Sequence, residues 1–236
     1  MRLIEIQKAL ASKGFNPGPL DGVWGRQTLA AVRKFQASKK LEVDGIVGPQ
    51  TLKALFPDLA DPPLGLAGTG DVGLVWFAEA KRLLGLREKV GPGSNPEILK
   101  LAGDLGIDYP DDDIPWCGLF VAHCIGSTLD RESLPPAPLG ARNWLKFGNA
   151  CQPTLGAVMV FWRESRSSFK GHVGFYGGED AHSYLILGGN QGDRVSWVKI
   201  DKARLLEARW PSSVSPRPGA MAVADLGTVN RSWNEA

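Results

Sequence analysis

Cys117, His172 and Asn190 are the residues of this chain whose types and surroundings could carry covalent chemistry. Cys117 follows Pro115-Trp116 and opens the apolar run CGLFVAHCIG, so the spacing predicts a helix beginning near Trp116 with the sulfur at its N-terminus. Unpaired backbone N–H groups and the positive end of the helix dipole favour thiolate over thiol at that position. Such placement lowers a cysteine pKa from about 8.5 into a range of about 3.5 to 7.5. The thiolate attacks carbonyl carbon, so the expected chemistry is acyl transfer through a thioester. Cys124 falls two turns further along, about 10 Å deeper by the helical rise, and reads as a small core residue. Cys151 is expected in a loop before the first strand, without a partner. Three cysteines leave at least one thiol outside any intramolecular disulfide, which fits synthesis in a reducing cytoplasm.

The base for that sulfur has to come from a different element. His123 lies on the same helix, about 240° around from Cys117, and points elsewhere. His182 falls in a turn between two strands, the ordinary place for an exposed polar side chain. His172 opens a strand, sharing one face with Gly174 and Tyr176 while Val173 and Phe175 share the other. A hairpin loop running from Glu179 to Ser183 then puts Asn190 opposite His172, with Cβ atoms about 5 Å apart. An Asn there orients the imidazole and fixes its tautomer. A slip of one residue offers Gln191 instead, at the cost of turning that strand's faces over. Trp116, Tyr176 and Gln191 are the residues expected to contact substrate. Free cysteines are often simply buried, and a strand-opening histidine is often surface decoration. Cysteine at a helix start, histidine on a strand and an amide opposite it are together the makings of a nucleophile, a base and an orienter.

Helical signals precede the strands. They lie near Leu74 to Arg87, after Asn95-Pro96, where Asn caps and Pro takes the first helical position, and from Trp116. Four short runs bounded by turn residues then read as strands: Gly156–Arg163, His172–Gly178, Tyr184–Gln191 and Arg194–Ile200. Helices first and strands afterwards predict an α+β domain with an antiparallel sheet.

The first 56 residues contain a repeat: LDGVWGRQTLAAV (Leu20 to Val32) overlays VDGIVGPQTLKAL (Val43 to Leu55). Each copy reads as an Asp-Gly turn feeding a helix, with Pro49 at a first-turn position. Leu3, Ile6 and Leu10 form a helical stripe that Gly14 can end, so residues 1–56 are expected to be a three-helix domain. Residues 57–72, dense in Pro and Gly, read as a linker, residues 73–211 as the second domain, and residues 212–236 as a loosely packed tail.

The doubled D-G-x-x-G-x-x-T-L pattern resembles the type 1 peptidoglycan-binding domain over residues 2–56, which implies a module that holds cell-wall polymer and does no chemistry. Residues 73–210 resemble the CHAP and NlpC-type cysteine amidases and peptidases, through PWCGLFVAHC, GAVMVFW, GHVGFYGGED, LGGNQ and the closing RWP. That resemblance implies a papain-like fold with helices packed on the sheet. It assigns Cys117 as nucleophile, His172 as general base and Asn190 as orienter; relatives place Glu, Asn, Gln or His in the third role. The implied enzyme is a peptidoglycan hydrolase that cuts an amide bond, either between muramic acid and L-alanine or within the peptide stem, with no cofactor. Module order and size resemble phage endolysins, which accumulate in the host cytoplasm before reaching the wall. The rival reading is a wall-binding protein with an inactive papain-like domain.

Other functions fit poorly. Net charge is +2, and residues 1–56 hold nine Lys/Arg against four Asp/Glu, too little for a dedicated nucleic-acid binder but suited to an anionic polymer. No apolar run is long enough for a bilayer span, and MRLIEIQKAL places Glu5 and Lys8 where a signal peptide would be apolar. Peptidoglycan is therefore the expected partner, with no nucleic acid and no membrane insertion, for a monomer. The Asp111–Asp113 run lacks the alternating ligand pattern of a calcium loop, and three dispersed histidines do not space a zinc site. The His-Gly-x-x-Cys signature of an L,D-transpeptidase is missing.

Overall fold

Gln7 and Gln36 explain why the repeat at the N-terminus is a repeat. In the computed structural model, which describes residues 3–22, 24, 26–43, 45, 47–57, 74–129 and 131–214, both side chains are buried. Gln7 Oε1 accepts the Gly22 N–H at 2.7 Å while its Nε2 donates to Thr28 Oγ1 at 3.2 Å. Gln36 Oε1 accepts the Gly45 N–H at 2.8 Å while its Nε2 donates to Thr51 Oγ1 at 3.2 Å. Each amide thus ties the Gly of a D-G turn to the Thr of the helix that follows. Gly22 and Gly45 sit at φ +76° and +79°, the left-handed region that glycine enters without a Cβ penalty.

The helices so joined are α1 (Leu3–Ser12), α2 (Arg26–Ser38) and α3 (Pro49–Leu55). Their core includes Ile6, Leu10, Val32, Phe35 and Leu55, with Phe15 edge-on to Phe35 at 5.5 Å. Helix α1 ends near the expected Gly14, which lies at φ +83°. The chain divides into two compact units, residues 1–82 with 127–130, and residues 83–126 with 131–236. Helix α4 (Val75–Arg82) groups with the first. Apart from residue 57, the expected linker lies outside the described residues.

The second unit holds α5 (Pro96–Gly103), all but the last turn of α6 (Cys117–Thr128), and six strands. Asn95 caps α5 as expected, its Oδ1 accepting the Glu97 N–H at 2.9 Å, with Pro96 opening the helix. The strands are β1 (Asn149–Cys151), β2 (Val158–Trp162), β3 (Gly171–Glu179), β4 (Ser183–Gly188), β5 (Ser196–Asp201) and β6 (Leu205–Trp210). They form one antiparallel sheet in the order β1-β6-β2-β3-β4-β5, so the unit is α+β, and helix α6 packs on it through Phe120 against Phe175, ring centroids 5.9 Å apart.

Two strands were not expected. Cys151 lies in β1 rather than in a loop, pairing with Ala208. Strand β6, LLEARW, reads poorly because Glu207 and Arg209 interrupt its apolar residues; the two pair with each other at 2.9 Å, and Arg209 also donates to the Phe147 and Gly148 carbonyls. Residues 212–214 are not loosely packed either: the Glu132 carboxylate accepts the Ser212 and Ser213 N–H groups, and Val214 is buried. The remainder of the expected tail lies outside the described residues.

Candidate active site

Helix α6 starts at Cys117 because Pro115 and Trp116 fix the chain ahead of it. Trp116 is fully buried, its Nε1 donating to Glu88 Oε1 at 2.7 Å. Gly118 lets the helix start come close to its neighbours, since a Cβ there would run into the Pro138 and Leu139 carbonyl oxygens. The Cys117 sulfur lies against the backbone N–H of Val173, the residue after His172. The helix start and the strand start therefore lie side by side at this point.

The state of the sulfur differs from the expectation. Cys117 is 6 % exposed, and burial pushes its thiol up. The Val173, Gly118 and Cys117 N–H groups and the Arg163 charge pull the other way without overcoming it. Desolvation of the charged form outweighs the helix terminus here. At neutral pH the group is therefore a thiol.

His172 is 1 % exposed and its Nε2 lies 2.9 Å from Gln191 Oε1. The expected register holds where Phe175 pairs with Leu187 and Tyr176 with Ile186. The ladder ends at Gly188, however, so Asn190 does not stand opposite His172. Asn190 sits at φ +54°, a left-handed conformation that Asn tolerates better than most residues, and the chain turns there. The turn closes with Gln191 N–H to the Arg194 carbonyl at 2.9 Å and delivers the Gln191 side chain to the imidazole. Glycine at 188 is what makes room: a Cβ would lie 2.6 Å from Gln191 Oε1 and 3.0 Å from His172 Nε2.

Ser196 on β5 fixes which way the Gln191 amide faces. Gln191 Nε2 donates to the Ser196 carbonyl oxygen, and Ser196 Oγ donates to the Gln191 carbonyl at 3.1 Å. With Nε2 engaged, Oε1 is the atom that meets the imidazole, and it can only accept. In that arrangement His172 Nε2 is the donor and Gln191 Oε1 the acceptor.

Of the expected substrate contacts, none offers an open surface. Trp116 is a buried wedge; a Cβ at Gly189 would lie 2.8 Å from its ring. Tyr176 is fully buried beside Tyr184, centroids 5.9 Å apart, because β3 is covered over most of its length. Gln191 is 4 % exposed and occupied with His172. Cys124 and His123 are buried within α6, and His182 is exposed in the β3–β4 turn. The Asp111, Asp112 and Asp113 carboxylates lie within 4.8 Å of one another. Asp112 accepts the Asn95 N–H at 2.7 Å, and Asp111 accepts from Ser94 Oγ and the Asp113 N–H, both at 3.1 Å, so turn-building accounts for two of the three. Sequence reasoning missed Ser196 and Gly188; the Gly188-Gly189 pair is the signal that could have warned of a strand end before Asn190.

Comparison with known proteins bears on the N-terminal unit. Residues 2–55 match the family described as "Putative peptidoglycan binding domain". A spore cortex-lytic enzyme of Bacillus cereus is 43 % identical over 53 residues, 22 % of this chain and 20 % of that protein. The Bacillus subtilis protein of the same name is 44 % identical over 55 residues, 23 % of this chain and 18 % of its own length. A Nostoc punctiforme protein named "Putative OxPP cycle protein OpcA" is 41 % identical over 66 residues, 28 % of this chain and 14 % of its own. The chain thus spans a fifth or less of each of these relatives. No solved structure matches.

Proposed function

We infer that this protein is a peptidoglycan hydrolase whose N-terminal unit holds wall polymer while its second unit cuts an amide bond by cysteine chemistry. The hydrogen bond between His172 Nε2 and Gln191 Oε1, beside a helix-start cysteine, carries the reading. The match of residues 2–55 to a peptidoglycan-binding domain supports the substrate. Holding the polymer raises the concentration of scissile bonds around the active site. Its C-terminal unit resembles the CHAP and NlpC-type enzymes, and the same resemblance extends to phage endolysins released from the host cytoplasm.

In this reading the Cys117 proton passes to His172 Nδ1 as the sulfur bonds to the scissile carbonyl carbon. The Cys117 backbone N–H steadies the oxyanion. The C–N bond then breaks, and the imidazolium returns its proton to the leaving amine. Water, deprotonated by His172, adds to the thioester and releases the carboxylic acid with the thiol restored. Gln191 is a positioning residue: its Oε1 engages the imidazole at Nε2 and leaves Nδ1 to act as the base. The buried, protonated thiol makes His172 necessary in the first step.

Cleared turbidity of purified sacculi by the wild-type chain, abolished in Cys117→Ala and in His172→Ala, is the expected result. Mass spectra of the released fragments identify the bond: a lactyl group left without peptide means an amidase, shortened stems an endopeptidase. Burial of Cys117 favours a second reading, a wall-binding protein without activity. Under it Cys117→Ala changes nothing on sacculi, and iodoacetamide labels Cys117 no faster than an ordinary thiol.

A further inference from the structure

Glu88 ties the turn that carries Gln191 to the start of the helix that carries Cys117. Residues 85–88 run antiparallel to residues 193–195. The Glu88 N–H donates to the Asp193 carbonyl at 2.9 Å, the Val195 N–H to the Leu86 carbonyl at 2.7 Å and the Gly85 N–H to the Val195 carbonyl at 3.0 Å, with Arg87 and Arg194 bridged between them. On its other side the segment is held by Asn95, whose Nδ2 donates to the Arg87 carbonyl at 2.6 Å.

The Glu88 backbone thus belongs to the turn, while its side chain reaches the head of α6. Glu88 Oε1 accepts the Trp116 Nε1–H at 2.7 Å, and the Trp116 carbonyl accepts the Phe120 N–H at 2.9 Å as the chain enters the helix. The Trp116 ring also meets the turn directly: a Cβ on Gly189 would lie 2.8 and 2.9 Å from its Cζ3 and Cε3. Because the indole is fully buried, its N–H has no water to turn to once the carboxylate is gone. Burial and the charges of Asp193, Asp112 and Asp113 push the Glu88 carboxyl up, against the pull of the Trp116 hydrogen bond. A carboxylate is thus disfavoured by its surroundings; what it gains is a charge-assisted bond to the indole.

We propose that Glu88 is a positioning residue for amide cleavage: by clasping Trp116 against the turn, it sets where the Cys117 helix start lies relative to the His172–Gln191 pair. This rests on the hydrolase reading. Glu88 acts through Trp116 on one side and through the backbone of the turn on the other, so its loss should be felt in the alignment of the reacting groups rather than in substrate binding.

The test measures steady-state kinetics of the full-length chain on soluble muropeptides, far below its melting temperature. Glu88→Ala should lower kcat about tenfold to a hundredfold with KM little changed. Trp116→Phe should do the same, and the double variant should be no worse than either single, because all three lose one and the same bond. Glu88→Gln, which keeps an oxygen acceptor in place, should recover most of the rate. Parental kcat in Glu88→Ala, or losses that add in the double variant, would overturn the proposal, since a residue that only stabilises the fold moves the melting temperature and leaves kcat of the folded chain alone. Nuclear magnetic resonance reads the same coupling without turnover: Glu88→Ala should shift the Gln191 side-chain amide signals, and unmoved signals would also overturn it. A wild-type chain that cuts no muropeptide, in which that shift nevertheless appears, would sink the hydrolase reading and leave the coupling standing.

Discussion

Gln191 Oε1 meets His172 Nε2 at 2.9 Å although Gln191 lies beyond the end of β4, so a turn rather than the strand ladder supplies the partner of the imidazole. The amide is itself held by Ser196. Removing it leaves a buried ring nitrogen without its acceptor. Such a loss costs about 1–3 kcal/mol, equivalent to roughly 5- to 160-fold in rate. Gln191→Ala should accordingly lower kcat on sacculi by that factor with KM little changed. Asn190→Ala should leave kcat within about twofold, because Asn190 contributes backbone conformation rather than a hydrogen bond to His172. Steady-state kinetics on soluble muropeptides would refute this assignment if Asn190→Ala proved the more damaging.

Gly188→Ala separates the site from the scaffold. The added methyl would press on Gln191 Oε1 and His172 Nε2, both ends of side chains that can move aside. The two atoms no longer meet, and buried polar groups so parted cost about 1–3 kcal/mol. The expected outcome is a melting temperature lowered no further than in Gln191→Ala, with activity as low as in that variant. A variant that melts normally and lyses sacculi at the parental rate would contradict the placement of the pair.

Gly118→Ala should act on the backbone instead. Its methyl would meet backbone carbonyls of Pro138 and Leu139, which cannot rotate out of the path. Overpacking of this type costs about 1–3 kcal/mol. Urea unfolding should show that loss with the activity of the surviving folded fraction reduced as well, since the displaced residue is next to Cys117.

Much of this arrangement was legible from residue order alone. Periodicity located α5, α6 and β2 to β5, and the helix-start cysteine lies against the backbone N–H of the residue after the strand-start histidine. The third partner was misread because hairpin register was extended through Gly188-Gly189, where the strand stops and torsion angles rather than pairing decide which side chain turns inward. Tyr176 and Trp116 were misread for another reason. Alternation assigns a face, but whether a face is covered depends on packing partners distant in sequence, such as Glu88 for Trp116. The raised Cys117 thiol has the same origin: a dipole is local to its helix, while desolvation is set by everything packed around it.

The two glutamines of the N-terminal unit should be energetically equivalent. Gln7→Ala strips acceptors and donors from Gly22 and Thr28, and Gln36→Ala does the same to Gly45 and Thr51. A buried polar group left unsatisfied costs about 1–3 kcal/mol. Either substitution should speed hydrogen exchange of its own glycine amide and weaken sedimentation with sacculi, while leaving the His172–Gln191 pair and cleavage of soluble muropeptides intact. Unchanged exchange at Gly22 in Gln7→Ala would show that the turn stands without the clasp.

Stability should fall on the alkaline side. Burial pushes the Cys117 thiol above its ordinary 9.0 and the Cys151 thiol up to about 11, and it raises the Tyr109, Tyr176 and Tyr184 hydroxyls above 10.0. In every case the folded chain holds its proton more tightly than the unfolded chain. The stabilisation is therefore complete below the unfolded pKa and is lost as pH climbs through the folded value. For Cys151 that window runs from 9.0 to about 11. Urea midpoints should be level between about pH 7 and 8.5 and then drop steadily, because the linkage slope follows the difference in bound protons. Cys151→Ser should flatten the first part of the drop, its hydroxyl having no ionisation in that range. A midpoint as high near pH 10.5 as at pH 8 would mean that these groups are hydrated in solution and that the packing described around β1 and the head of α6 is too tight.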